Sequence, residues 1–300
     1  MSLDCRKADR RARGRWRSRM SAVLLLAGLS LGAFSPARLP DSPSVLRVCS
    51  DPNNLPFSNA RREGFENRIA ALLARELGAR LEYTWWPERR GFIRKTLGAG
   101  RCEVVMGIPA DDERVMATRP YYTSTYVFLS RRDRPADVRS LDDSALRRLR
   151  IGVHFIGDDY TNTPPAHALA RRHIVSNVVG YSIYGDYSRP NPPAELVHAV
   201  ARGDVDLAIL WGPFAGYFGP REAVALRRRP VLPAVDAPGL RFTFAIAIGV
   251  VRGDSLLRRR LDAALVARRP EIQRILHQYG VPLVNQPGLG AARRKEATCG

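Results

Sequence analysis

The sequence predicts an α/β protein of two lobes, each built on a parallel sheet, joined by two extended crossings with a cleft between them. Three observations predict this. From Val45 the hydrophobic pattern runs strand, helix, strand, helix, strand, and the same order returns from Arg150. Crossovers of this size imply parallel pairing, with helices on the sheet faces. Two β-rich runs, 122–130 and 241–251, lie where a chain would pass from one unit to the other and back.

Residues 46–49 read as a short strand. Phe65, Ile69, Leu72, Leu73 and Leu77 then recur at helical spacing until Gly78 ends the helix. A strand follows over 81–85, a short helix is marked by Phe92, Ile93 and Leu97, and a third strand spans 103–108. The second unit has strands at 150–154, 177–183 and 205–210, and a helix over 193–201. Its other helix is opened by Pro164 and Pro165 and runs through Arg172. Helices over 255–267 and 270–279 complete the first lobe, Gly280 stopping the last. The implied divisions are 45–132 for the first part of lobe 1, 133–240 for lobe 2, and 241–285 for the returning strand and the C-terminal helices of lobe 1. Residues 286–300 read as a disordered tail.

Ahead of these units, residues 5–19 are rich in Arg, 21–34 are nearly all apolar or small, and Ser35-Pro-Ala37 offers small residues for cleavage. This is the pattern of a secretory signal over 1–37. An apolar run of about 14 residues is short of the ~20 that span a bilayer. The sequence therefore implies export to the periplasm and no membrane span once the signal is removed. Cleavage takes away eight positive and two negative charges, and the formal balance falls from +19 to +13. Only three of the 48 basic residues are Lys and the arginines are scattered, so nucleic acid is not an expected partner; the charge suits steering toward an acidic surface.

Of four cysteines, Cys5 leaves with the signal and Cys299 lies in the tail, leaving Cys49 and Cys102. An oxidising compartment permits a bridge. The register opposes one, because Cys49 is late in its strand and Cys102 precedes its own. No CxxC or Cys/His zinc spacing occurs.

Several motifs flank the expected strands, which deliver Arg114 and Trp211 to their carboxyl ends, where open α/β sheets bind ligands. They include Arg47-Val-Cys-Ser-Asp51-Pro52 with Pro56-Phe57, Glu113-Arg114 followed by Pro120-Tyr121, and Gly203-Asp-Val-Asp206. In this order they resemble type II periplasmic binding proteins of the amino-acid-receptor class, over roughly 45–283. Gly64-Phe-Glu-Asn67, Tyr83-Thr-Trp-Trp86, Asn162-Thr-Pro-Pro165, Tyr184-Gly-Asp-Tyr187, Asn191-Pro-Pro193 and Trp211-Gly-Pro213 narrow the resemblance. They are similar to the quinoprotein-dehydrogenase-associated XoxJ and MxaJ (MoxJ) group, nearer the XoxJ side.

The resemblance implies a set of cleft residues. Arg114 matches the arginine that clamps a ligand carboxylate. Trp211 takes the place of the acid that holds an ammonium group, which argues against an α-amino acid ligand. Asp51 matches a cleft-lining acid, and Phe57 and Tyr121 belong to the same motifs. Of the adjacent Trp85 and Trp86, one ring is core and the other a candidate contact, for which Trp86 is taken. Asp158, before the helix at Pro164, serves capping, a cleft-facing helix terminus or a weak metal site. The aromatic stretch 181–187 reads as an insertion and a candidate docking surface.

Nothing in the chain reads as catalytic: it has no nucleophile elbow, no phosphate loop and no recognisable triad. The resemblance implies a non-enzymatic accessory protein whose partner is a quinoprotein alcohol dehydrogenase, its c-type cytochrome, or both. Pyrroloquinoline quinone (PQQ) is expected only in the partner enzyme, with no cofactor in this chain. The alternative is a solute receptor of an ABC importer for a small ligand such as a carboxylate.

Overall fold

Two antiparallel strands at the centre of one continuous ladder tie together two groups of parallel strands. The structure, a computed structural model, describes residues 45–156, 162–184 and 186–284. The expected signal segment, the tail and Asp158 lie outside the described residues.

The strands are β1 (Val45–Ser50), β2 (Arg80–Trp85), β3 (Val104–Pro109), β4 (Tyr122–Arg131), β5 (Ile151–Phe155), β6 (Val178–Ser182), β7 (Leu207–Trp211), β8 (Leu226–Pro230) and β9 (Thr243–Val250). The order across the sheet is β2-β1-β3-β9-β4-β7-β5-β6, with β8 also on β4. β1 pairs in parallel with β2 and β3, and β5 in parallel with β7 and β6. The join is antiparallel. Residues 122–125 of β4 face 243–246 of β9, after which β4 continues along β7 and β9 along β3. Each joining strand therefore belongs to both groups.

The period of two along the first strands decides which layer each side chain enters. Leu46, Val48, Val104 and Met106 pack under α1 (Phe65–Glu76), α6 (Ser255–Ala267) and α7 (Arg269–Gln278). Cys49, Val105 and Ile108 face the other way, toward Phe92 of α2 (Phe92–Lys95), Leu97 and Val115. Phe65, Ile69, Leu72, Leu73 and Leu77 are all buried, as their spacing predicts. Each such side chain contributes roughly 1.5–3 kcal/mol. In the second group α3 (Pro164–Arg171) covers one face, and α4 (Glu195–Arg202) with α5 (Gly212–Phe218) covers the other.

Two elements escape the sequence pattern. α5 reads Gly-Pro-Phe-Ala-Gly-Tyr-Phe, and its glycines allow a close approach that other residues could not make: a Cβ on Gly216 would lie 2.0 Å from the Gly280 carbonyl oxygen. β8 reads Leu-Arg-Arg-Arg-Pro, a poor strand by propensity, and it forms as an addition to β4 with Arg227 and Arg229 paired to Asp137.

The disulfide, left open by the sequence, is formed against the register argument. Cys49 and Cys102 are bonded, with Cα atoms 5.6 Å apart. Residues 101–103 form a bend outside β3, so Cys102 is freed from strand register and turns onto the face that Cys49 occupies. The bond closes a sequence separation of 53 residues. Replacing both cysteines by serine is expected to cost about 2–4 kcal/mol in urea unfolding. Adding reductant to the parent protein should reproduce the loss and leave the variant unchanged.

Candidate functional site

A cavity of about 650 Å³ lies between the two strand groups, at the carboxyl ends of the parallel strands. The first group contributes Asp51, Phe57, Glu66 and Gly107, among others. The joining strands contribute Tyr122, Tyr126, Phe244 and Ile246, and the second group contributes Tyr187, Pro193, Trp211 and Phe214. The walls are largely aromatic. Phe57 meets Phe214 across the cavity edge-on, ring centroids 5.2 Å apart, and Trp211 packs against Tyr126 and Phe244 at 5.3 and 5.9 Å.

Glu66 is delivered by a specific piece of local structure. Gly64 caps α1 where a Cβ would lie only 1.9 Å from the Phe57 carbonyl oxygen, so no other residue fits. The Asn67 side-chain oxygen accepts from the Gly64 and Asn59 N–H groups at 3.1 Å each, fixing the helix start. Phe65 then points into the core and Glu66 into the cavity, 7% exposed. Its carboxyl lies over Gly107, whose Cβ would stand 2.2 Å from Glu66 Oε1. Tyr121 donates its hydroxyl to the same oxygen at a long 3.5 Å. Burial, assisted by the charge of Glu88, pushes the Glu66 carboxyl up to about 8.

Asp51 is also buried but fully engaged. Its carboxylate accepts from the backbone N–H groups of Asn53 at 2.7 Å and Glu88 at 2.6 Å, and from the Tyr187 hydroxyl. Glu88 stands at the rim with its side chain open to water, and accepts from the Asn54 amide at 3.2 Å. Arg114 lines the cavity but is held by Asp112, through Nε to Oδ1 at 2.9 Å and Nη2 to Oδ2 at 2.5 Å. The guanidinium hydrogen bonds keep the Asp112 carboxyl below its usual range. His154, 2% exposed, shares a hydrogen bond at 2.9 Å between its Nε2 and the carbonyl of Pro193 in the cavity wall, and burial pushes its imidazole down to about 4.

Of the expected residues, Asp51, Phe57, Arg114 and Trp211 line the cavity. Trp86 does not: it packs into the disulfide layer under the Arg101 guanidinium, 5.0 Å from its ring centroid. Strand alternation gives the other face to Trp85, which stacks on Tyr83. Tyr121 stands behind the wall, bonded to Glu66, while the next residue, Tyr122, faces the cavity. The sequence reading overlooked Glu66, although it lies within Gly64-Phe-Glu-Asn67. The signals that could have found it were that motif and a glycine, Gly107, inside a strand.

The aromatic stretch of the second group reaches across the opening. Asn53 Nδ2 donates to the Arg189 carbonyl at 2.8 Å, and Asn53 Oδ1 accepts from Asn191 N–H at 2.8 Å. Leu55 N–H donates to Asn191 Oδ1 at 3.4 Å, and the Tyr187 hydroxyl donates to Asp51. Arg89 lies over the Tyr187 ring, 5.0 Å from its centroid. These contacts form a latch across the cavity mouth. Elsewhere between the two groups and the C-terminal segment, Tyr217 of α5 stacks on Tyr279, and Ser124 donates to the Pro282 carbonyl at 2.7 Å.

The family model for bacterial extracellular solute-binding proteins, family 3, matches residues 46–281. Protein MoxJ of Methylorubrum extorquens is 30% identical over 293 residues, covering 90% of this chain and 97% of MoxJ. The crystal structure of MxaJ from Methlophaga aminisulfidivorans MPT superposes with a TM-score of 0.70 at 27% identity, over 80% of this chain and all of MxaJ. That of the periplasmic binding protein XoxJ from Methylobacterium extorquens AM1 gives 0.66 at 34% identity, over 81% of this chain and all of XoxJ.

Two outcomes test the site's construction. Because the folded-state Glu66 carboxyl titrates above its ordinary value near 4.5, its contribution to stability is complete below that value and is lost as pH rises through about 8. Glu66→Gln removes this titration, so urea unfolding of the parent should lose roughly 1–3 kcal/mol relative to the variant between pH 6 and pH 9. The pair Asn53→Ala and Tyr187→Phe removes three latch hydrogen bonds, each contributing about 1 kcal/mol. Small-angle scattering should then show a larger radius of gyration than the parent. The fold, the sheet order and these comparisons agree: the chain belongs to family 3 of the bacterial extracellular solute-binding proteins, as an XoxJ/MxaJ-type binding protein of the type II class.

Proposed function

We propose that this protein is a non-catalytic periplasmic accessory factor of a PQQ-dependent methanol or alcohol dehydrogenase. It acts by docking to the enzyme or its c-type cytochrome, or by assisting maturation of either. The observation that carries this reading is similarity to MoxJ, MxaJ and XoxJ over nearly the whole folded length. The dehydrogenase link comes from the group that the sequence motifs resemble, and the quinone belongs to that enzyme. A periplasmic location accords with the solute-binding family and with the XoxJ description.

The latch supplies a mechanism. The loop that reaches across the cavity mouth carries Tyr184 and Tyr187, so a partner that engages this loop competes with Asp51 and Asn53 for it. Docking and cavity opening then become one event, with the joining strands as the hinge. A net charge of +13 after signal removal steers the protein toward an acidic partner.

The second reading, a solute receptor of an importer, is favoured by the size of the cavity. A carboxylate ligand is not favoured, because the Arg114 fork is already filled by Asp112.

The test is binding of the mature protein to immobilised quinoprotein dehydrogenase, and separately to its cytochrome, at low and moderate salt. Saturable micromolar binding that weakens with salt is expected. Tyr187→Ala should change the affinity if the loop docks, with Trp211→Ala and Arg114→Ala reporting on the cavity. Absence of binding to both partners at both salt concentrations would sink the docking mechanism.

A further inference from the structure

Among the described residues, Glu66 and Glu88 line the cavity without an ion-pair partner, and of these Glu66 is the enclosed one. Glu66 is 7% exposed, lines the cavity and has Tyr121 as its hydrogen-bond donor, at 3.5 Å. Among the described residues no Lys, Arg or His forms an ion pair with it, whereas Asp112 has Arg114 and Asp51 has three donors. Asn54, another lining residue, has its Oδ1 buried without a donor. An unpaired buried acid and an unpaired buried acceptor in one cavity both call for a ligand that donates and carries positive charge.

The walls suit the same chemistry. Phe57, Tyr122, Tyr126, Trp211, Phe214 and Phe244 present aromatic surface to the cavity, and ring faces attract cations. Trp211 replaces the acid expected at its position, but Glu66 supplies a carboxyl from the opposite wall, so an ammonium group regains a charge partner. The clamp for the carboxylate end of an amino acid is not regained, because Arg114, the residue matched to it, is occupied by Asp112, and the other lining arginines, Arg89 and Arg90, are solvent-exposed. No three His, Cys, Asp or Glu among the described residues converge closely enough to hold a metal ion. We infer that the cavity binds a small organic cation, an alkyl- or arylalkylammonium without a carboxylate, with Glu66 as its counter-charge and the aromatic walls around it. This concerns the cavity alone and stands or falls separately from docking to a dehydrogenase.

The protonation of Glu66 makes the inference sharply testable. The titratable groups facing it are Tyr83 on β2, Tyr121 just before β4, Tyr122 at its start, and Glu88 at the rim; burial raises all three tyrosines, and local desolvation with the charge of Asp51 pushes the Glu88 carboxyl up to about 7. With its carboxyl titrating at about 8, Glu66 must lose a proton before it pairs with a cation. Binding therefore strengthens with pH and releases a proton near neutrality.

The probes are benzyltrimethylammonium, whose charge does not change with pH, benzylammonium at pH 7, and benzyl alcohol and benzoate as neutral and anionic counterparts. Calorimetry, with Trp fluorescence alongside, should show saturable binding of at least one cation. Benzyltrimethylammonium should bind roughly tenfold tighter at pH 9 than at pH 6.5, or benzylammonium should release a proton on binding at pH 7. Glu66→Gln should weaken the bound cation at least about tenfold and leave only the smaller pH dependence that Glu88, titrating at about 7, contributes. Three results would overturn the inference: benzoate or benzyl alcohol binding as tightly as the cations, cation binding unchanged in Glu66→Gln, or no saturation by either cation below about 10 mM.

Discussion

The antiparallel pairing of β4 with β9 is the constraint on which everything else depends. Four residues of each strand face one another, Thr243 to Ile246 against Thr125 to Tyr122. Beyond this stretch the strands diverge, one to complete each sheet. The cavity exists because the two sheets are joined only here, with their carboxyl ends left facing. Tyr122, Tyr126, Phe244 and Ile246 belong at once to the joining strands and to the cavity wall. A change in the angle between the sheets must therefore alter the cavity. The latch at Asn53 and the stacked Tyr217 and Tyr279 add contacts between the two halves beyond the strand pairing.

The polar groups around the cavity are organised at three levels. Arg114 and Asp112 satisfy each other, Asp51 is used structurally to hold two backbone turns and the latch tyrosine, and Glu66 is left over. A buried carboxyl without a counter-ion is costly in its charged form, and the protein avoids that cost by keeping the proton. The same arrangement leaves the Arg114 fork filled by Asp112 and so unavailable to a ligand carboxylate.

Much of the fold was legible in the sequence because the elements that build it have strong periodicity. The helix from Phe65 and the strands ending at Ser50, Pro109 and Trp211 lie within a residue or two of where their patterns place them. α5 and β8 were not legible, since glycines and arginines carry no period and these elements form only against surfaces made by other parts of the chain. The disulfide was not settled by the sequence for a related reason: a bend of three residues defeats an argument from strand register. At the cavity, positions taken from motifs put four side chains on the wall. Glu66 was overlooked because one acid in a helical pattern looks like a solvated face, and only the approach of Gly107 shows that it points inward.

The place of β9 between β3 and β4 also bears on how the chain can be completed. The first group of strands ends at Pro109, yet its sheet lacks its fourth member until residues 243–250 have been made, after the entire second group. Contacts of such long sequence separation form late and slow the search for the native state. A chain emerging from its N-terminus thus spends most of its synthesis with the edge of β3 open and the apolar layer beneath α1 uncovered by α6 and α7. The first half therefore cannot complete its sheet or its helical layer until nearly the whole polypeptide is available.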